Sequence, residues 1–279
     1  MPVKIVTDSV ADIPPEVSAK LGITVIPIIL RFGDETYRDG IDIDSDRFFE
    51  RLVTSKVLPT TAVPSMDMFA RTYARLGEET DEIIAIMLSS KLSGLYNAAL
   101  QSAKLVDSKL RVEVVDSMTA VMSQGFAVIH AAQAALKGAN TGEILENVKR
   151  DLSRAEMRST FDTLNYLQRG GRIGKAQALL GSMLKVNPLV TLKNGVVEPA
   201  GRARSRTKAF DNLFEFAAGF KHIEELAVED AACPNDADYM VERLGKIYPK
   251  EKIYRSRATP VIGTHTGPGL LVVAVLGEK

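Results

Sequence analysis

A cluster of three serines and a glycine lies at residues 89–94, between an apolar run and a helical pattern. The apolar run 83–88 predicts a buried strand, and the pattern after Ser93 predicts a helix to about Val106. Helix N-termini leave backbone N–H groups without partners and carry roughly half a positive charge, which favours an anion. No Asp or Glu occurs in this helix before Asp107, so its N-terminal anion site is unfilled. Ser93 therefore either caps the helix only or also binds an anionic ligand.

Other hydroxyl-bearing turns are predicted at strand ends. Residues 7–9 and 116–117 each follow an apolar run, and Thr61 lies in a predicted loop, 59–64. The carboxyl ends of parallel strands share one edge of a sheet, where ligands bind. We expect these turns to meet residues 89–93 there, with Thr61 beside them. The acids in the two turns, Asp8 and Asp116, are interpreted mainly as turn and cap residues.

His265 is the histidine whose surroundings suggest a binding role. It lies in the glycine-rich segment 263–269, after a predicted apolar strand at 260–264. Glycine permits close approach of the backbone to a ligand, and imidazole can donate to an anion or transfer a proton. His130 lies in an apolar helical pattern and is interpreted as a core or rim residue, and His222 as exposed.

Two further segments carry weaker signals. Residues 170–174 are glycine-rich but lack the spacing of either common phosphate-binding motif and follow a predicted helix. Residues 202–208 carry four basic side chains and no acid, which indicates either a patch for an acidic partner or a charged hairpin edge. No Gly-x-Ser-x-Gly motif and no histidine pair at helical spacing is present. The sequence thus offers anion-binding groups more readily than a nucleophile with its base.

Composition excludes several functional classes. The 279 residues include 35 basic and 35 acidic side chains, so bulk charge does not predict nucleic-acid or membrane binding. The single cysteine, Cys233, excludes an internal disulfide and a cysteine-based zinc cluster. The chain enters a predicted strand at 3–7 without a signal peptide, and no apolar run approaches the ~18 residues of a membrane span. We therefore expect a cytoplasmic protein.

Strands and helices alternate in the first half of the chain. The predicted strands are 3–7, 23–31, 81–88 and 111–116, and the predicted helices start near residues 15, 44, 65, 94, 118 and 141. This alternation predicts a mainly parallel sheet flanked by helices. The pattern changes after about residue 155, where Asn194-Gly195 between apolar runs predicts a β-hairpin. We expect an N-terminal α/β domain at 1–155 and a smaller α/β domain at 156–279.

Six motifs, in this order, resemble those of the DegV family, bacterial fatty-acid-binding proteins that include the binding subunits of fatty acid kinase. They are Val-Thr-Asp-Ser at 6–9, Thr61 before a proline at 64, Leu-Ser-Ser-Lys-Leu-Ser-Gly at 88–94, Val-Asp-Ser at 115–117, Tyr-Leu-Gln-Arg-Gly-Gly-Arg-Ile at 166–173 and Gly-Thr-His-Thr-Gly-Pro-Gly at 263–269. The resemblance covers about residues 3–278. It implies a two-domain α/β fold with a long-chain, palmitate-like fatty acid between the domains.

The resemblance also implies roles for particular residues. Thr61 and Ser93 would hold the lipid carboxylate, with His265 near the same headgroup. The further expected headgroup neighbours are Thr264, Ser89, Gly94 and Arg172. A separate kinase subunit, similar to dihydroxyacetone kinase, would phosphorylate the carboxylate to an acyl phosphate. The protein itself would be a carrier without cofactor, metal, catalytic residues or a nucleic-acid partner.

The sequence departs from the family pattern beside the headgroup. Ala62-Val63 stands where the family commonly has Ser-Gln, and Leu95 where it commonly has Thr, so this region is more apolar. The candidates for lining the lipid tail are Ile28, Ile29, Met118, Met122 and Met183. Two alternative functions stay open: a stand-alone hydrolase or phosphotransferase using Ser93 or His265, and a nucleic-acid or regulatory binder using residues 202–208.

Overall fold

The computed structural model describes residues 2–180 and 186–279, which form thirteen strands and ten α-helices. The strands are β1 Lys4–Asp8, β2 Thr24–Ile26, β3 Ile29–Phe32, β4 Glu35–Arg38, β5 Thr60–Ala62, β6 Glu82–Met87, β7 Arg111–Asp116, β8 Ala155–Thr160, β9 Asn187–Lys193, β10 Val196–Ala203, β11 His222–Asp230, β12 Tyr254–Arg257 and β13 Leu271–Glu278. The helices are α1 Pro15–Leu21, α2 Ser45–Thr54, α3 Met66–Gly77, α4 Leu95–Ser102, α5 Val121–Leu136, α6 Thr141–Arg154, α7 Asn165–Arg169, α8 Arg206–Ala218, α9 Pro234–Leu244 and α10 Pro260–Thr266. The predicted α/β class is confirmed.

The first sheet is parallel, as the alternation of elements predicted. Its strands run in the order β2-β1-β6-β7, and every neighbouring pair is parallel. Helices α3 and α4 pack on one face, and α5 and α6 pack on the other. The central strands β1 and β6 are buried beyond their first residue because both faces of the sheet are covered.

The second half of the chain forms a six-stranded sheet. Its order is β10-β9-β8-β13-β11-β12, antiparallel except for the β11–β12 pair. The predicted hairpin is confirmed as β9–β10. Helices α8 and α9 pack against this sheet, and α5 contacts β8, β11 and β13 as well as the first sheet. Because α5 lies between two sheets, twelve of its sixteen residues are buried, which explains its nearly continuous apolar sequence.

A small antiparallel sheet, β4-β3-β5, was not predicted. The single strand predicted at 23–31 is two strands: β2 joins the parallel sheet, and β3 pairs with β4 and β5. The break falls at Pro27, which has no N–H to donate to a ladder. The predicted loop 59–64 contains β5, which is only three residues long. Thr61 and Ala62 of β5, and Ile28 just before β3, line part of the cavity described below.

The strand predicted at 260–264 is wrong, because this segment is helix α10. A proline occupies its first turn, where a missing N–H costs nothing. Asp12 and Asp39 accept hydrogen bonds from the backbone N–H groups of Thr259 and Val261, at 3.2 and 3.3 Å. Both carboxyls come from distant parts of the chain, so they stabilise the start of α10 without any local sequence signal.

Two other predicted helices are shorter than expected. α4 ends at Ser102 and continues as a 3₁₀ turn, Ala103–Leu105, instead of reaching Val106. α5 begins at Val121 and not at the predicted start, Met118. Met118 lies in the turn before the helix, and Met118 and Val121 both have φ near +50°. No helix in the described parts of the chain is long and apolar enough to cross a bilayer.

Candidate functional site

A cavity lies where the three sheets meet. Its volume is about 130 Å³. Apolar side chains from every sheet or its adjoining loops line it, among them Val10, Ile28, Met157, Val190 and Val272. An apolar wall is therefore assembled from residues that are far apart in the sequence.

The polar side chains that line this cavity divide into two groups. Three use their hydroxyls to donate to backbone carbonyls: Ser159, Thr191 and Thr266. The other four, which we call the polar end, are Thr61, Ser93, Arg172 and His265. The hydroxyls of the first group are committed to the protein backbone, so the polar end is where a ligand headgroup finds partners.

A surface cleft adjoins the polar end. Thr61, Arg172 and His265 line both the cavity and this cleft, which Arg169 and Tyr166 also line. Three of the four polar-end residues therefore lie between the cavity and a cleft on the surface.

Thr61 and His265 are in direct contact. Thr61 lies on β5, opposite Leu30 of β3, and His265 lies in the last turn of α10. The Thr61 Oγ1 atom is 2.9 Å from His265 Nε2. The structure thus brings together two residues, 204 positions apart, that the sequence placed near one headgroup.

The imidazole of His265 is neutral near pH 7. Burial lowers its pKa to about 4, and the positive charge of Arg172 acts in the same direction. Its Nδ1 atom is buried and has no hydrogen-bond partner among the described residues. The ring therefore has one engaged nitrogen, facing Thr61, and one unused nitrogen.

Ser93 lies at the start of α4 but one residue outside its N-cap. Gly94 is the N-cap, and the Leu95 N–H donates to Ser93 Oγ at 3.3 Å. The first turn of α4 contains no acid, as predicted. Because Ser93 accepts this bond, its hydroxyl proton is available to a ligand in the cavity.

Arg172 bridges two loops beside His265. Its Nε atom donates to the Leu92 carbonyl at 3.1 Å, and Nη1 donates to the Gly170 carbonyl at 2.5 Å. Two bonds to backbone fix the plane of the guanidinium. A permanent positive charge is therefore held at the polar end.

The remaining expected headgroup neighbours lie outside the cavity lining. The Ser89 hydroxyl is buried and donates to the Gly195 carbonyl at 2.9 Å, tying the β9–β10 turn to the loop after β6. Gly94 is exposed, and Thr264 lines the cleft while its hydroxyl donates to the Pro260 carbonyl at 2.9 Å. None of these three residues lines the cavity itself.

The expected tail-lining residues are placed differently. Ile28 lines the cavity, whereas Ile29, Met118 and Met122 do not, and Met183 lies outside the described residues. Sequence reasoning missed the wall formed by β8, β9 and β13. Those strands carry the same aliphatic residues as any core strand, so nothing in the sequence marks them as cavity-facing.

The acids of the two predicted turns act as backbone acceptors, as interpreted. Asp8 accepts hydrogen bonds from the Leu88 and Val10 N–H groups, at 2.7 and 2.9 Å. Burial raises the pKa of Asp8 to about 6. Asp116 accepts from the Ser90 N–H at 3.1 Å. They fix the loops that carry Ser89 to Ser93.

The basic stretch 202–208 is partly neutralised within the fold. Arg206 forms ion pairs with Asp236 and Asp162, and Lys208 pairs with Asp211. The stretch is therefore not a continuous field of unpaired positive charge.

His130 is a rim residue, as interpreted. It lies 2.8 Å from Asp151 and 3.2 Å from Glu225, which raise its pKa to about 9. His222 is exposed, also as expected.

Comparison with known proteins identifies the family. The model described as "Uncharacterised protein, DegV family" matches residues 2–278. The chain belongs to the DegV family. A DegV domain-containing protein of Streptomyces coelicolor is 37% identical over 278 residues, covering 98% of each chain. Protein DegV of Bacillus subtilis is 35% identical, covering 97% of this chain and 98% of its own.

Solved DegV structures share the whole fold. One, described as fatty acid binding of a DegV family protein from Thermus thermophilus, superposes with a TM-score of 0.92 at 33% identity, covering 99% of this chain and 100% of that one. DegV of Bacillus subtilis, described as a fatty acid binding protein, gives 0.89 at 33% identity with full coverage of both chains. In this DegV chain, Ala62 and Val63 line the cavity and Leu95 is buried, so the departures from the family pattern fall beside the polar end.

Proposed function

We propose that this protein binds a long-chain fatty acid in the cavity, with the carboxylate at the polar end. The observation that carries the proposal is the division of the cavity into apolar walls and one polar end, which matches the division of a fatty acid. Each buried methylene contributes about 0.8 kcal/mol, so some fourteen contribute on the order of 11 kcal/mol before ordering costs. The similarity to DegV proteins described as fatty-acid binding supports the same ligand class.

The polar end has the groups that a carboxylate needs. A carboxylate buried without partners would take up a proton instead of staying ionised. We propose that the hydroxyls of Thr61 and Ser93 donate to it and that Arg172 balances its charge. Neutral His265 is hydrogen-bonded to the Thr61 hydroxyl and holds it in place. The ligand is then held as an anion.

Fatty-acid extraction and mass spectrometry test this proposal. Purified protein should release a fatty acid into organic solvent, and delipidated protein should take one up. Ser93→Ala and Thr61→Ala should each weaken retention roughly tenfold, about the effect of one charge-assisted hydrogen bond, without loss of the folded state. Ser90→Ala, in the same loop but outside the cavity lining, is the matched control. No fatty acid in the protein and none taken up would overturn the proposal.

We further propose that a separate kinase subunit, similar to dihydroxyacetone kinase, phosphorylates the bound carboxylate. The supporting feature is the cleft beside the polar end, lined by Arg169 and Arg172, which gives a phosphoryl donor access to the headgroup. A carboxylate oxygen would attack the terminal phosphorus of ATP, giving an acyl phosphate and ADP. Lipid-loaded protein with ATP should yield acyl phosphate only when the kinase is added. Turnover by this protein alone, abolished in Ser93→Ala, would instead support the enzyme alternative.

A further inference from the structure

The ring of His265 packs directly onto Gly170. A Cβ atom built on Gly170 would overlap the Nδ1 atom of His265 and lie 3.1 Å from its Cε1 atom. The carbonyl of the same glycine accepts the hydrogen bond from Arg172. Gly170 is therefore in contact with two of the four residues of the polar end.

The backbone of Gly170 does not itself require glycine. Its φ and ψ are −71° and −9°, in the right-handed region that every residue type adopts. Gly219 ends α8 with nearly the same angles, −75° and −5°, and a Cβ there would make only ordinary contacts of 3.4 Å. The two positions differ only in what faces the missing side chain. At Gly170 the missing side chain leaves room for the imidazole.

Two more glycines between the same two segments are packed directly against a side chain. A Cβ on Gly267 would overlap the ring of Tyr166, and one on Gly269 would overlap the carboxyl of Asp162. The pairs 170 with 265, 166 with 267 and 162 with 269 run antiparallel. They hold the segment that contains α7 against the end of α10 and the residues after it, so close packing along this interface limits the orientation of His265.

We infer that Gly170 is a positioning residue for the headgroup site: it seats the imidazole of His265 so that Nε2, and not Nδ1, faces Thr61. This inference rests on the proposed function. A hydroxyl has one proton and two acceptor sites. When neutral His265 donates from Nε2 to Thr61 Oγ1, the Thr61 proton remains for the carboxylate. If the ring moved away from Gly170, Thr61 would lose this hydrogen bond, and its hydroxyl proton would no longer be directed at the carboxylate.

The packing also favours the tautomer that this arrangement needs. Nδ1 faces Gly170, whose carbonyl binds the Arg172 guanidinium, so a lone pair on Nδ1 is preferred to an N–H beside that cation. A proton on Nδ1 would also be a buried donor without a partner among the described residues. The lowered pKa of His265 agrees with a ring that carries a single proton.

Gly170→Ala and its matched control Gly219→Ala test the inference. The chain has three histidines, so ¹⁵N spectra of the imidazole rings resolve His265 from the other two. In Gly170→Ala we expect the His265 ring signals to shift and those of His130 and His222 to stay. Palmitate should bind roughly tenfold more weakly. Gly219→Ala should match the wild type in both measurements. Unchanged His265 signals and unchanged affinity in Gly170→Ala would overturn the inference.

The same substitution in a His265→Ala variant separates the positioning of the ring from general destabilisation of the fold. In His265→Ala the ring that a Cβ would overlap is gone, so adding Gly170→Ala should cause no further loss of affinity and the double variant should fold even if Gly170→Ala does not. An equal loss in both backgrounds, or a double variant that does not fold, would overturn the inference. If no variant and no wild-type protein binds palmitate, the proposed function fails, while the histidine spectra still decide whether Gly170 seats the ring.

Discussion

A buried carboxyl cluster joins the two halves of the chain, and removing one of its charges should change how stability depends on pH. Asp12 follows β1, Asp39 follows β4, and Glu229 lies on β11, and all three are almost completely buried. The charge of Glu229 acts on Asp12, and Asp12 Oδ2 and both carboxyl oxygens of Glu229 are buried with no hydrogen-bond donor among the described residues. Two carboxyls can share a hydrogen bond only when one of them carries a proton. Glu229→Gln keeps a donor at this position and removes the titration.

The magnitude follows from the environment of Glu229. Burial raises its pKa from 4.5 to about 7, with the charge of Asp230 acting in the same direction. Burial and the neighbouring Glu229 charge also raise the pKa of Asp12, and burial raises that of Asp39 to about 6. For Glu229 the difference from the ordinary value corresponds to about 3 kcal/mol of folding free energy. That is a large fraction of the ~5–15 kcal/mol typical of a folded domain.

The direction is set by which state holds the proton. An acid whose pKa is higher in the folded state gives up stability as the pH rises from 4.5 through 7, and the penalty is complete above pH 7. We expect Glu229→Gln to gain about 3 kcal/mol relative to the wild type at pH 8, and about 1 kcal/mol or less at pH 5. Urea unfolding of both proteins at four pH values between 5 and 8 measures this difference.

Other titrating groups do not obscure this result. The lowered pKa of His265 costs stability below pH 6.5, and the raised pKa of His130 gives stability below pH 6.5 that is lost as the pH rises towards 9. Both act equally on the wild type and the variant, so the difference between the two proteins isolates the cluster. Glu215→Gln, at an exposed position of α8, should differ from the wild type by the same amount at every pH. A pH-independent difference for Glu229→Gln would refute the reasoning.

Two further substitutions test other contacts. A Cβ on Gly263 would lie 2.7 Å from the Phe49 ring, so Gly263→Ala should lower the free energy of unfolding by about 1–3 kcal/mol, whereas Gly94→Ala, with its nearest contact at 3.8 Å, should be tolerated. Equal stability of the two variants would contradict this packing. Ser89→Ala removes the hydroxyl that binds the Gly195 carbonyl and should cost about 1 kcal/mol in urea unfolding while leaving fatty-acid affinity unchanged. Weakened binding would instead assign Ser89 to the headgroup site.

The elements that local patterns determine were predictable from the sequence. The parallel sheet follows from the alternation of apolar strands and helices, and the β9–β10 hairpin follows from Asn194-Gly195. The split between β2 and β3 was missed, although Pro27 interrupts the predicted strand. Helix α10 was not predictable, because the carboxyls of Asp12 and Asp39 that bind its first N–H groups lie more than 200 residues away.

The residues of the candidate site were likewise predictable only in part. Thr61, Ser93, Arg172 and His265 stand out in the sequence because each lies in one of the six motifs shared with the family. The cavity wall does not, since a valine such as Val190 looks the same whether it faces a lipid or a neighbouring side chain. Gly170 falls both in the 166–173 motif and in the glycine-rich segment 170–174, but neither pattern predicts its contact with His265, because that ring lies 95 positions later.

The electrostatics of the polar end favour holding an anion over attacking one. A general base works best with a pKa near the working pH, whereas burial and Arg172 lower the pKa of His265 to about 4. Its Nε2 atom faces Thr61, and no hydrogen bond joins it to Ser93 in the described structure. Burial is the main reason that the imidazole is a poor base, and the charge of Arg172, which acts in the same direction, would also stabilise a carboxylate beside it. Burial and Arg172 together therefore disfavour acid–base catalysis by His265, and the same cation favours the carboxylate binding that we propose at this place.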